Sequence, residues 1–153
     1  MRRMFGVLVV VFGFAAAPAV AEPSRMTVFK SASCGCCGLW IDHLAAHGFE
    51  VEAHDTEAMH RVKELAGVPP ALGSCHTAMI DGYVIEGHVP AAEIRRLLDE
   101  RPAGVAGLSV PGMPQGSPGM PAPAAMAERY DVVVFGGDAT GRFATYAGER
   151  RVD

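Results

Sequence analysis

The chain is short of positive charge. Against 17 Asp and Glu it has only 13 Lys and Arg, a formal net charge of −4. Arg2 and Arg3 are lost with the leader described below, together with no acid, so the mature chain is more acidic still. An acidic protein of this kind is a poor partner for nucleic acid or anionic lipid. Beyond the leader no apolar run is long enough to cross a bilayer, and no internal repeat is present. The glycine-rich turn G-G-D-A-T-G lacks the lysine and the following helix of a phosphate loop, so it reads as a hairpin turn. Cysteine is scarce, at four residues, and no second C-x-x-C lies far from the first, which excludes a zinc ribbon. About 130 residues after the leader suffice for one domain with its own core, so disulfides are not needed to replace one.

The first 21 residues carry what the rest lacks. Arg2 and Arg3 make a positive start, Met4 to Ala17 an apolar run, and Ala19-Val20-Ala21 a small-x-small cleavage site. This pattern predicts a secretory signal peptide over 1–21 with Glu22 as the mature start; an uncleaved anchor is the alternative. A charge-poor, Ala/Val-rich leader points to the bacterial periplasm, an oxidising compartment. No stable membrane span is expected after cleavage.

Residues 22–102 read as an α/β domain. Met26–Ser31 forms an apolar strand that runs into the cysteine cluster. Leu39, Trp40, Ile41, Leu44 and Ala45 then mark a helix that stops at Gly48. Residues 49–55 alternate strictly, as a second strand does. Thr56 or Asp55 can cap a second helix over Glu57–Ala66, with Met59, Val62, Leu65 and Ala66 on its buried face. Val68-Pro69-Pro70 forces an extended segment. Two apolar runs, Cys75–Ile80 and Tyr83–Val89, flank Asp81-Gly82, a strong hairpin signal. Pro90 opens a third helix with Ile94, Leu97 and Leu98 inward, and Pro102 ends it. The order β-α-β-α-β-β-α is that of a thioredoxin-like domain. Residues 103–127 are rich in Pro, Gly and Met, with no period and no means of forming a regular core. In 128–153 the runs Tyr130–Phe135 and Arg142–Ala147 predict a C-terminal β-hairpin.

Three of the four cysteines crowd into S-A-S-C-G-C-C-G-L-W, residues 31–40. A disulfide framework uses them poorly. Every pairing puts one bridge inside the cluster, and stabilisation in the chain-entropy model grows with loop length. A redox site fits better: Cys34 and Cys37 have C-x-x-C spacing at a strand-to-helix junction, where free helix N–H groups favour a thiolate. Cys36 between them and Cys75 downstream would then invite dead-end isomers. A metal site uses all four. Adjacent Cys36 and Cys37 cannot easily join Cys34 on one tetrahedral ion and are better suited to bridging several. Soft thiolates select Cu(I), zinc or iron–sulfur chemistry. Met113 in V-P-G-M-P and Met120 in S-P-G-M-P favour Cu(I), unless they only pack over the domain.

Among the histidines, His88 ends the fourth strand just before Pro90, a rigid place, and is the best candidate nitrogen ligand. His76 follows Cys75 on an expected strand, so the two should point to opposite faces and not share a site. His43 lies on the Cys36 face of the first helix, about 10 Å along its axis, and suits an outer or inlet role. His47, His54 and His60 sit at a helix end or on polar faces, and no function is assigned to them. Trp40 either shields the site or packs in the core.

Four motifs, C-G-C-C-G-L-W-I-D-H, G-V-P-P-A-L-G-S-C-H-T-A, G-Y-V-I-E-G-H-V-P and G-L-S-V-P-G-M-P-Q-G-S-P-G-M, occur in this order. Together they resemble the CopG-like periplasmic copper-resistance proteins, which are unrelated to the DNA-binding repressor of the same name. The likeness runs from about Met26 to Met120, and the Tyr130–Tyr146 hairpin looks like the family's tail. The resemblance implies a thioredoxin-like fold holding a cysteine-bridged, multinuclear copper cluster, with a proposed role in Cu(I)/Cu(II) handling such as a copper oxidoreductase would have. Carried over by motif, Cys34, Cys36, Cys37 and Cys75 would be the core ligands, with His88 a further candidate. A ligand role for Met113 and Met120 rests on thioether chemistry alone. The expected cargo is Cu(I), several ions per chain, and the expected partners are other periplasmic copper-handling or redox proteins. The alternatives are a thiol–disulfide oxidoreductase using Cys34 and Cys37, and a partner-binding adaptor whose thiols are incidental.

Overall fold

Strand β1 (Arg25–Lys30) buries Met26 and Val28 and leaves Thr27 and Phe29 half-covered, the period-2 pattern of a strand between two layers. It belongs to a computed structural model that describes residues 25–137 and 139–153. The expected signal peptide over 1–21 lies outside the described residues. Helix α1 (Gly35–Ala46) follows, then β2 (Glu50–Asp55), α2 (Met59–Leu65), β3 (Thr77–Ile80), β4 (Tyr83–Glu86) and α3 (Ala91–Glu100). These seven follow one another as β-α-β-α-β-β-α. Next come β5 (Gly107–Ser109), β6 (Arg129–Phe135), β7 (Gly141–Ala147) and the short β8 (Arg150–Arg151).

One mixed sheet contains all eight strands, in the order β2-β1-β3-β4-β5-β6-β7-β8. β1 pairs with β2, and β4 with β5, in parallel; the other neighbours are antiparallel. One sheet face carries Met26, Val28, Ala78, Ile85, Leu108 and Val132, and packs with Trp40 and Leu44 of α1 and Ile94 and Leu97 of α3 into the core. Strand alternation sends Thr77 and Glu86 to the other face, where Lys63 of α2 meets both. No helix among the described residues is long and apolar enough to cross a membrane.

Three expectations change. Segment 103–127 is not free of regular structure: Leu108 and Val110 are fully buried, and β5 joins β4 to β6 inside the sheet. Three residues are too few to display a period, which hid this strand. α2 buries no residue, and Leu65 is 71% exposed rather than inward. Seven residues make only two turns, and Met59, Val62 and Ala66 are only half-covered. β3 begins at Thr77 rather than Cys75, and β4 ends at Glu86 rather than Val89. α1 begins at Gly35, so Cys36 and Cys37 stand in its first turn.

Candidate metal centre

The cysteines converge where β1 passes into α1. Cys34 occupies the N-cap position of α1 without a side-chain capping bond, and its N–H closes a turn on Ser31 O at 3.0 Å. The unfilled N–H groups and dipole of that helix end favour negative sulfur. Cys37 is fully buried and Cys36 half-buried. Cys34 and Cys37 are joined by a disulfide, and Cys36 and Cys75 are free thiols. Cys36 Sγ lies 3.5 Å from Cys34 Sγ. With Cys75, the four sulfurs all lie within 4.8 Å of one another.

Cys75 is brought in by a loop, not by a strand. Glu86, fully buried, points its carboxylate at this loop from β4. Its Oε1 accepts the Ser74 N–H at 2.6 Å and the Lys63 ammonium at 2.5 Å, and its Oε2 accepts the Thr77 hydroxyl at 2.7 Å. Ser74 Oγ in turn donates to Gly112 O at 2.5 Å, and Gly112 N–H to Gly73 O at 3.1 Å. Residues 73–76 are thus held between β4 and the segment that follows β5.

This irregular loop overturns the expectation that Cys75 and His76 face apart. His76 Nδ1 lies 3.2 Å from Cys75 Sγ, and His88 Nε2 lies 3.1 Å from the same sulfur. The three side chains form a second group of potential ligands sharing Cys75 with the first. Alternation applies only within a paired strand, and pairing starts at Thr77. His76 and His88 are both fully buried, their rings edge to face with centroids 5.1 Å apart. The Trp40 ring lies tilted against His76, centroids 4.2 Å apart, and donates Nε1–H to Val89 O at 2.9 Å, so it both packs in the core and walls the site.

The electrostatics suit a cation. Burial, and then Cys36 beside it, push the Cys75 thiol up to about 12. Burial, with His88 and Lys63 nearby, lowers His76 to about 3, and burial lowers His88 as well. Both rings therefore stay neutral, the form in which imidazole coordinates metals. His88 Nδ1–H donates to Pro118 O at 2.7 Å, which leaves the Nε2 lone pair directed at Cys75. His76 Nε2 is buried with no partner among the described residues. Buried unpaired nitrogen costs free energy unless a ligand satisfies it.

The segment carrying the methionines straps over this place. Gly119 rests on the backbone of Cys36 and Trp40, next to Met120, which is half-buried. Met113 lies farther out and is 51% exposed. His43 does not join the sulfurs: its Nε2 accepts the Ala91 N–H at 3.2 Å. His47 Nδ1 bonds His43 O at 2.7 Å, and His54 lies exposed beside Glu52.

A mixed α/β fold that gathers four sulfurs and two neutral imidazoles defines a protein equipped for a soft metal ion. A family described as "Protein of unknown function, DUF411" matches residues 72–120. Two solved structures of the copper resistance protein CopG, form 1 and form 2, are each 45% identical, with a TM-score of 0.76. They cover 83% and 82% of this chain, and the chain covers 100% and 99% of theirs. The chain belongs to the CopG copper-resistance protein family. No curated protein sequence matches it.

Proposed function

We propose that this is a periplasmic copper-binding protein of thioredoxin-like fold that holds several Cu(I) ions for copper resistance and interconverts Cu(I) and Cu(II). In this reading residues 22–102 form the metal-binding domain, 103–127 its Met-bearing strap and 128–153 a hairpin extension. The observation that carries it is the meeting of Cys34, Cys36, Cys37 and Cys75 sulfurs within 4.8 Å. The donor set fits the metal: soft thiolates, two neutral imidazoles and an orphaned buried nitrogen on His76. Adjacent Cys36 and Cys37 favour bridging of several ions over enclosure of one. His88 would add a nitrogen ligand, His76 a second, and Met113 and Met120 thioethers that close the outer side.

Copper, when bound, supplies a one-electron couple. The protein's part is to hold sulfur and nitrogen in place, keep water out with Trp40 and the strap, and release the Cys75 proton on loading. Four-thiolate binding requires the Cys34–Cys37 bond to be reduced. Protein purified without oxygen and analysed for metal is expected to contain copper. Zinc or iron in its place, or no metal, would contradict the proposal.

The same disulfide favours a second reading, a thiol–disulfide oxidoreductase. Disulfide transfer that requires Cys34 and Cys37 but survives Cys36→Ser and Cys75→Ser would decide for it.

A further inference from the structure

Helix α3 begins without a cap of its own. Its N-cap residue is Pro90, which offers no side-chain hydrogen-bond acceptor, and no side-chain capping bond forms there. The N–H groups of Glu93 and Ile94 turn back to Pro90 O. The first amide of the helix, Ala91 N–H, is met by His43, 48 residues away on α1, at 3.2 Å from Nε2. To accept that hydrogen, Nε2 must be unprotonated. A charged ring would set donor against donor and place positive charge at the positive end of the helix dipole.

His43 stands on the face of α1 that also carries Cys36 and Trp40. Residues 88–91, which lead from the candidate ligand His88 into α3, are held at three points. His88 Nδ1–H bonds Pro118 O, Val89 O accepts from Trp40, and Ala91 N–H is taken by His43. Two of the three anchors belong to the helix whose first turn presents Cys36 and Cys37. We propose that His43 is a positioning residue for the metal centre: as a neutral imidazole it caps α3 from α1, and so fixes His88 relative to the cysteine helix. The metal part of this proposal rests on the copper-binding reading; the cap does not.

The ring can exchange protons with solvent through a cavity of about 220 Å³ lined by His43, His47, Pro90, Ala91, Pro118 and Glu149. Burial lowers the pKa of His43, His47 on the same helix lowers it further, and Glu149, in the turn between β7 and β8, raises it. Asp42 lines the adjoining outer cleft, and the Tyr146 phenol faces the cavity from β7. A histidine whose folded pKa lies below its unfolded value contributes stability that is complete above the unfolded pKa. That contribution is lost as pH falls towards the folded one. The cap is therefore intact at neutral pH and opens in acid.

The test uses His43→Gln, whose side-chain oxygen can accept the Ala91 N–H but cannot titrate, and His43→Leu, which can do neither. In metal-free protein, hydrogen exchange at the Ala91 amide should be slow at neutral pH in wild type and His43→Gln, and about tenfold faster in His43→Leu. On acidification the protection should fall in wild type more than in His43→Gln. Cu(I) affinity, measured against a competing chelator, should drop about tenfold in His43→Leu and return towards wild type in His43→Gln. Equal Ala91 exchange in wild type and His43→Leu, or a His43→Gln protein that behaves like His43→Leu, would overturn the proposal. A wild type that binds no copper would defeat the copper reading instead, and the amide measurement would still decide the cap.

Discussion

Replacing Glu86 with Ala is expected to destabilise the protein by about 3–5 kcal/mol, the range for breaking a buried ion pair by removing one partner. The Glu86 side chain is fully buried, whereas that of Lys63 retains 20% exposure, so the lower end of the range applies. The loss goes beyond the Lys63 contact, because the Ser74 N–H and the Thr77 hydroxyl lose their acceptor together. Glu86→Gln keeps a carbonyl oxygen for Ser74 and should cost less than Glu86→Ala. The functional consequence follows from position. Glu86 holds the loop that sets Cys75 and His76 side by side, so copper bound per protein should fall in both variants even where they remain folded. Urea denaturation and metal content of the refolded protein measure the two effects. A loss below about 1 kcal/mol in Glu86→Ala would show that other contacts hold the loop.

Gly119→Ala is expected to open the strap. At φ +84° a Cβ on this residue would lie 2.7 Å from Cys36 O and 2.8 Å from Trp40 N, both backbone atoms of α1. Neither atom can move without disturbing the helix, so the strap must rise. Left-handed backbone costs a non-glycine residue about 1–2 kcal/mol, and the clash adds about 1–3 kcal/mol more. Lifting residue 119 also draws Pro118 O away from His88, which frees that ring to rotate. Cu(I) affinity should therefore fall more than tenfold, with a loss of thermal stability alongside. Gly104→Ala separates the causes. It has φ +77° and nothing within 4 Å of its Cβ, so it carries the backbone strain without a clash against α1. Equal copper affinity in the two variants would sink the claim that the strap seals the site.

How much of this was legible in the sequence depended on the range over which each signal acts. The order of strands and helices followed from local periods and breakers: the alternation of β2, the Asp81-Gly82 turn and Pro90 before α3. Cysteine spacing pointed to the junction of β1 and α1, where the four sulfurs do gather, and the same C-x-x-C spacing permits the Cys34–Cys37 bond. What escaped was set by distant contacts. Strand alternation from Cys75 would turn His76 away from it, but the strand begins two residues later, at Thr77. Glu86, on the neighbouring strand, instead holds the preceding loop by accepting the Ser74 N–H. A buried acid facing a Ser-Cys-His-Thr run was the available signal. β5 was hidden by its brevity and by glycine and proline around it. The cap on α3 was invisible because its donor and acceptor are 48 residues apart.

Once reduced, the four sulfurs are proposed to form a shared cradle for several copper ions. Anaerobic titration of the reduced protein with Cu(I), followed by the luminescence of a water-shielded copper–thiolate core, distinguishes such a cradle from a single-ion site. Emission should rise to a plateau at several copper ions per chain, and should be lost when all four cysteines are replaced by serine. Saturation at a single equivalent, or no emission at all, would contradict this proposal.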